Sequence, residues 1–249
     1  MLRIFETPAG PAKPRPSDAE LAEGLSLRYG LDSESPDGWA VAESISQLGY
    51  ELGESDMKDY AKRLAARAVL RRAHRLVGPI RPAMHRVFEP PAEAFRGEMD
   101  LDRTLENALG RRPEPSDWIM MRREEKQVQL ILMMDVSFSM SGRNLALAAL
   151  AAAVLALKVR DSDLAVVVFD STAKVISHLG SPVDHESLIG EILGQPARGY
   201  TNIQDAMELG LREQRRARRP DPATLLITDG IYTAGADPYP LAGHFARLN

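Results

Sequence analysis

The sequence predicts a doubly wound α/β domain with a mainly parallel sheet, preceded by a mostly helical N-terminal module. Three short runs carry that expectation: VQLILMMD (128–135), DLAVVVFD (163–170) and ATLLITDG (223–230). They are apolar without alternation, as strands buried on both faces of a parallel sheet are. Helical stretches separate them, and strands alternating with helices give an open sheet covered on both sides.

In chain order, residues 1–16 are proline-rich and poor in apolar content, and are expected to form a loose tail. Ser17 with Glu20 makes a capping box before a first helix. Pro36 and Asp37 open a second, and Ser55 or Asp56 caps a third that Gly78 and Pro79 end. The third helix carries Lys62, Arg63, Arg67, Arg71, Arg72 and Arg75, read as a solvated basic face beside an apolar stripe. Residues 78–127 read as irregular and proline-interrupted, apart from GEMDLDRTLENALG (97–110), a short strand or turn followed by a capped helix. From Val128 the order is strand, long helix, strand, a short strand over 174–179, helix, amphipathic helix, strand and a final helix start. The 174–179 strand is expected to be an antiparallel edge, because only a tight turn separates it from Phe169. The expected organisation is a tail over 1–16, a helical module over 17–96, a linking segment over 97–127 and the α/β domain over 128–249.

Composition excludes several functions. Lys and Arg number 31 against 35 Asp and Glu, a net charge of −4, so there is no polycation for nucleic acid. There is no cysteine, which removes disulfides, thiolate metal sites and a Cys nucleophile. The N-terminus has no apolar signal core. The longest apolar run, Leu145–Leu157, falls short of the roughly 20 residues of a membrane span. The expected location is the cytoplasm. The phosphate-cradling G-x-x-x-x-G-K-[ST] sequence is missing, as is the G-x-S-x-G nucleophile elbow.

In an open parallel sheet the ligand crevice lies outside the carboxyl ends of the strands. Asp135 ends the first core strand, and Ser137 and Ser139 follow at every second position. Thr201 precedes a helix, and Asp229 ends the last core strand. These five offer only oxygen, the ligand set of Mg²⁺ or Mn²⁺. The alternation is expected to place Asp135, Ser137 and Ser139 on one side of an extended loop facing solvent, with Val136 and Phe138 turned towards packing. Asp170 is read as a turn residue. His178 and His185 are read as surface or turn residues without a metal or triad partner.

The stretch DVSFSM, with Thr201 in GYTNI and Asp229 in ITDG, resembles the metal-ion-dependent adhesion site of von Willebrand factor type A (VWA) domains, a Rossmann-like fold. GEMDLDRTLENAL, then DWIMMRR and LILMMDVSFSM, is similar to the approach to this domain in the intracellular CoxE-like, MoxR-associated branch. The resemblance implies a non-enzymatic interaction module. In it Asp135, Ser137, Ser139, Thr201 and Asp229 hold Mg²⁺ or Mn²⁺, and a protein partner supplies an Asp or Glu to the metal. It further implies a MoxR-type AAA+ ATPase as partner, in protein assembly, maturation or metal loading. Tyr200 stands where many relatives have Gly, and Arg198 and Tyr200 are expected to form the partner-binding rim. A complete domain of this family adds a further strand and helix, so the sheet is expected to lack an edge element. The alternatives are a chelatase-type subunit inserting metal into a cofactor, and a Mg²⁺-dependent phosphoryl-transfer enzyme using Asp135. The first lacks its long acidic, Pro-rich linker here, and the second has Ser137 where a second acidic residue belongs.

Overall fold

The computed structural model describes residues 17–29, 39–48, 55–78, 84–90, 98–125, 127–196 and 199–249. The expected tail, the Pro36–Asp37 helix start and Arg198 lie outside these residues. The chain divides into two compact units, one of Met1–Val77 with Gln129–Asn249 and one of Gly78–Val128.

The first unit is built on a five-stranded sheet. Its strands are β4 (Leu130–Asp135), β5 (Leu164–Phe169), β6 (Ala173–Ser177), β7 (Ala223–Ile227) and β8 (Arg247–Leu248), in the order β6-β5-β4-β7-β8. Pairing is parallel except between β5 and β6, which run antiparallel with an irregularity between Val166 and Val167. The expected antiparallel edge is therefore present. Every residue of β4 and β5 is buried, which is why neither run alternates. Successive side chains point to opposite faces. Leu130, Leu132 and Met134 enter one core with Leu164, Val166 and Val168. Ile131 and Met133 enter the other with Ala165, Val167 and Phe169.

Helices cover both faces. On the first lie α5 (Arg143–Ala156) and α6 (His185–Leu193), with α1 (Asp18–Tyr29), α2 (Trp39–Leu48) and α3 (Ser55–Val77) packed into the same core. On the second lies α7 (Ile203–Gln214), through Ile203, Ala206 and Met207, together with Phe245 beyond the short α8 (Tyr239–Ala242). The N-terminal helices thus belong to the sheet's own unit, although the sequence set 17–96 apart. Ala61, Ala65, Ala66, Ala68, Val69 and Ala73 bury one face of α3. Small residues let helices approach closely, and a Cβ built on Gly190 of α6 would lie 3.9 Å from Lys62 Cβ and 4.0 Å from Ala66 Cβ. The basic face of α3 is also more than solvated. Arg67 Nε meets Glu186 of α6 at 2.9 Å, Arg63 meets Asp18 of α1 at 3.6 Å, and Arg72 lies 4.5 Å from the ring centre of Trp39 in α2. Such surface contacts contribute about 0–1 kcal/mol each, so the alanine face holds the helix and the arginines orient its neighbours.

Local signals behave as their chemistry requires. Glu20 Oε2 accepts from the Ser17 N–H at 2.7 Å and Ser17 Oγ accepts from the Glu20 N–H at 3.4 Å, closing the capping box of α1. The Ser17 N–H first, and then the Ser17 hydroxyl, which donates to Oε2 at 2.8 Å, hold the exposed Glu20 carboxyl below its ordinary pKa. Gly78 follows α3 at φ +59°, the left-handed conformation that glycine adopts at helix ends.

The second unit departs from the sequence reading, which left it irregular. Its strands β1 (Met84–Glu89), β2 (Glu98–Met99) and β3 (Met120–Glu125) form an antiparallel sheet in the order β1-β3-β2. The expected capped helix is α4 (Leu101–Asn107), with Asp100 Oδ1 accepting from the Arg103 N–H at 3.0 Å. Thr104 is buried and its hydroxyl accepts from the Ile119 N–H at 2.9 Å, tying helix to strand.

Candidate metal centre

β4, β5 and β7 lie side by side, and their carboxyl ends bring together the loops that carry the candidate oxygens. Asp135 ends β4 opposite Phe169, and Met134 pairs with Ile227, so Thr228 and Asp229 leave the sheet beside Asp135. The Asn202 N–H donates to the Asp170 carbonyl at 2.8 Å, which brings the Thr201 loop to the end of β5. The Thr201 carbonyl accepts from the N–H groups of Thr233 and Ala234 at 3.0 and 3.2 Å, joining that loop to the one after β7.

Asp135 is completely buried, not facing solvent as its position had suggested. Its Oδ1 accepts from the Ser137 N–H at 2.8 Å, and its Oδ2 accepts from the Thr228 hydroxyl at 2.7 Å. Both donors are neutral, and Asp135 forms no ion pair among the described residues. A carboxylate has about four lone-pair sites, so each oxygen keeps acceptor capacity. Burying an unpaired carboxylate costs several kcal/mol.

Ser137 is buried and Ser139 exposed, with their hydroxyl oxygens 3.1 Å apart. The loop is not extended throughout. Phe138–Met140 form a 3₁₀ turn, which rotates side chains by about a third of a turn per residue rather than half. Val136 packs inward as expected, but Met140 takes the next buried place and Phe138 is thrown out to 72% exposure.

Thr201 is buried, with its N–H donating to Thr233 Oγ1 at 3.0 Å. Its hydroxyl makes no hydrogen bond to a described residue. Asp229 is exposed, and its Oδ1 accepts from the Ile231 N–H at 3.2 Å, an Asx turn. The donors are therefore layered, with Asp135, Ser137 and Thr201 below and Ser139 and Asp229 above. No group of three or more His, Asp or Glu gathers at metal distance among the described residues. The candidate set has two carboxylates and three hydroxyls and is a different kind of site.

Two residues beyond the sequence reading position the set. Thr228 bonds Asp135 and accepts from the Gly230 N–H at 3.2 Å, so one hydroxyl links the β4 and β7 loops. Thr233 locks Thr201. The register of β4 against β7 would have found Thr228, whereas nothing in the spacing of TAG marks Thr233. Gly199 has φ +82°, and a Cβ there would overlap the Ser171 hydroxyl, which accepts from the Tyr200 N–H at 2.9 Å. Asp170 has its expected turn role, its Oδ1 accepting from the Thr172 N–H at 3.0 Å. His178 is half-exposed after β6, and its Nδ1 lies 2.7 Å from Oε1 of the buried Glu213. The Leu179 N–H donates to the same carboxylate at 3.0 Å, so the pair fastens the end of β6 to α7. His185 Nε2 lies 3.4 Å from Asp161 Oδ1.

Among the described residues no helix is long and apolar enough to cross a membrane. Residues 67–246 match the sequence model of a family described as VWA domain containing CoxE-like protein. No curated protein matches. Among solved structures, the chain is similar to the vWF domain of the type V pili tip protein Mfa5 from Porphyromonas gingivalis, at 18% identity and TM-score 0.32 over 43% of this chain and 38% of that one. The three N-terminal domains of Mfa5 match at 18% and 0.32, over 62% and 27% of the two chains. A von Willebrand factor type A protein from Catenulispora acidiphila matches at 16% and 0.34, over 58% and 32%. The matches thus span well under half the length of these proteins.

Proposed function

Because the chain belongs to the family of VWA domain containing CoxE-like proteins, for which an interaction or assembly role is the general expectation, we propose that it docks a partner protein through a divalent cation held at Asp135, Ser137, Ser139, Thr201 and Asp229. The observation that carries this reading is the buried Asp135 carboxylate, hydrogen-bonded to neutral donors alone. A nearby cation offsets the cost of that burial. The set fits Mg²⁺ or Mn²⁺, since every donor is oxygen and three hydroxyls accompany two carboxylates. The two Asp charges balance a divalent ion, and the hydroxyls add none. When bound, the ion supplies a coordination position for a partner's Asp or Glu. Thr228 and the Ser137 N–H hold the Asp135 carboxylate in one orientation, and Thr233 fixes Thr201 against the same edge.

The arrangement favours binding over phosphoryl acceptance. Two positions after Asp135, where a phosphoryl-acceptor site places a second acidic residue, this chain has Ser137. In this reading the partner is a MoxR-type AAA+ ATPase, and the pair acts in assembly, maturation or metal loading of another protein. The ATP-driven step then belongs to the partner, in keeping with the lack of a phosphate-binding loop sequence here. Pull-downs of the full chain in Mg²⁺ and in EDTA, probed for an AAA+ ATPase, test the proposal. Capture in Mg²⁺, loss in EDTA and loss in Asp135→Asn are the expected results. Equal capture in all three contradicts it.

A further inference from the structure

The loops that bear the candidate oxygens also carry large apolar side chains into solvent. Phe138 lies between Ser137 and Ser139; Tyr200, next to Thr201, is 66% exposed; Ile231 and Tyr232, after Asp229, are 66% and 47% exposed. The fold does not require these side chains. Phe138 serves the loop through its carbonyl, which accepts from the Ser141 N–H at 3.1 Å, and Tyr200 through its N–H. Rigid aromatic side chains of this kind dominate binding energy once an interface excludes water from them.

A charge feature accompanies them. α5 starts directly after the Ser137–Ser139 loop, with no acidic residue in its first turn and no side-chain cap at Gly142. Its first residue is the exposed Arg143. A helix amino end is already partly positive, and a cation placed there is disfavoured. The two together make a positive end that an anion relieves.

We infer that this face takes a partner segment in which an Asp or Glu is flanked by aromatic or aliphatic side chains. The carboxylate goes to Arg143 and the start of α5, beside the oxygen-lined centre. The flanking side chains cover Phe138, Tyr200, Ile231 and Tyr232. A purely polar acidic tail leaves those rings wet, and a purely apolar segment leaves Arg143 and the helix end without an anion. The inference rests on the reading that this face docks protein, and it adds the chemistry of what docks.

A peptide library randomised at every position, displayed on phage and selected on the full chain in Mg²⁺ and again in EDTA, tests it. Enrichment of an acidic residue with apolar neighbours, lost in EDTA, is the expected result. The same enrichment unchanged by EDTA supports the inference and overturns the metal reading. An acidic residue with random neighbours, lost in EDTA, supports the metal reading and overturns the inference. Failure to enrich any acidic sequence overturns both. Phe138→Ala, and separately Tyr200→Ala, should weaken the selected peptide about tenfold or more by fluorescence anisotropy, with circular dichroism unchanged. Unchanged affinity in both variants also overturns the inference.

Discussion

Thr228 shows how the candidate site depends on side chains outside the five candidate ligands. Its hydroxyl orients Asp135 and steadies the turn at Gly230, so Thr228→Val keeps the shape and removes both bonds. Loss of such an outer partner typically weakens metal binding about 10–100-fold. Titration calorimetry should place Thr228→Val at least about tenfold weaker for Mg²⁺, and an unchanged affinity contradicts the positioning role. A second residue-scale prediction concerns pH. Asp117 accepts from the Glu114 N–H at 2.9 Å and from Arg111 at 2.7 Å on each carboxylate oxygen. The Glu114 bond first, and the Arg111 guanidinium next, hold its carboxyl below the ordinary range. A depressed carboxyl contributes stability that is whole above the unfolded value of about 3.9 and fades as pH falls through the lower folded value. An NMR titration of the Asp117 side chain should therefore show a midpoint that Arg111→Ala moves upward. A midpoint that stays put assigns the effect to Glu114 alone and contradicts the Arg111 contribution.

At the scale of elements, α7 seats against the sheet through Gly210. A Cβ there would lie 2.6 Å from Met133 Sδ and 3.3 Å from Phe245 Cε1. Gly210→Ala raises helix propensity, but overpacking a filled core costs about 1–3 kcal/mol and decides the sign. Urea unfolding should show that loss, and a stabilised variant would mean the helix can lift from the sheet. The elements legible in the sequence were the apolar inner strands, β4 and β5 buried on both sides and β7 partly buried, and those with capping chemistry, such as α1 and α4. The turn over Phe138–Met140 was not legible, because D-V-S-F-S satisfies a period of two until the backbone tightens. The strands β1 and β3 were missed for a related reason. MMRREE carries four charges in a row, and in MHRVFE Arg86 and Glu89 bracket Val87 and Phe88, so neither run alternates; Arg122 uses the charges laterally, meeting Glu89 at 3.1 Å and Glu124 at 2.6 Å. All five candidate ligands were legible as chemistry, while the depth of Asp135 and its tie to Thr228 needed the register of three strands.

For the whole molecule, the N-terminal helices and the sheet share one core, with Leu25, Val41, Ile45 and Val69 buried alongside Leu150 and Ile189. Each such side chain contributes about 1.5–3 kcal/mol by leaving water. A fragment of residues 128–249 alone should therefore melt well below the full chain or precipitate, as differential scanning calorimetry can show. An equal melting temperature would restore the separate module that the sequence reading expected. The alanine face of α3 explains why that module looked independent, since alanines carry little apolar signal beside so many arginines. We propose that the buried carboxylate at the carboxyl end of the central strand β4 serves a cation, and calorimetric titration of Mg²⁺ into the full chain and into Asp135→Asn tests this most directly. Wild type should bind one ion weakly, and the variant, which keeps the shape and loses the charge, should show no binding. Equal binding by the two proteins would contradict the account.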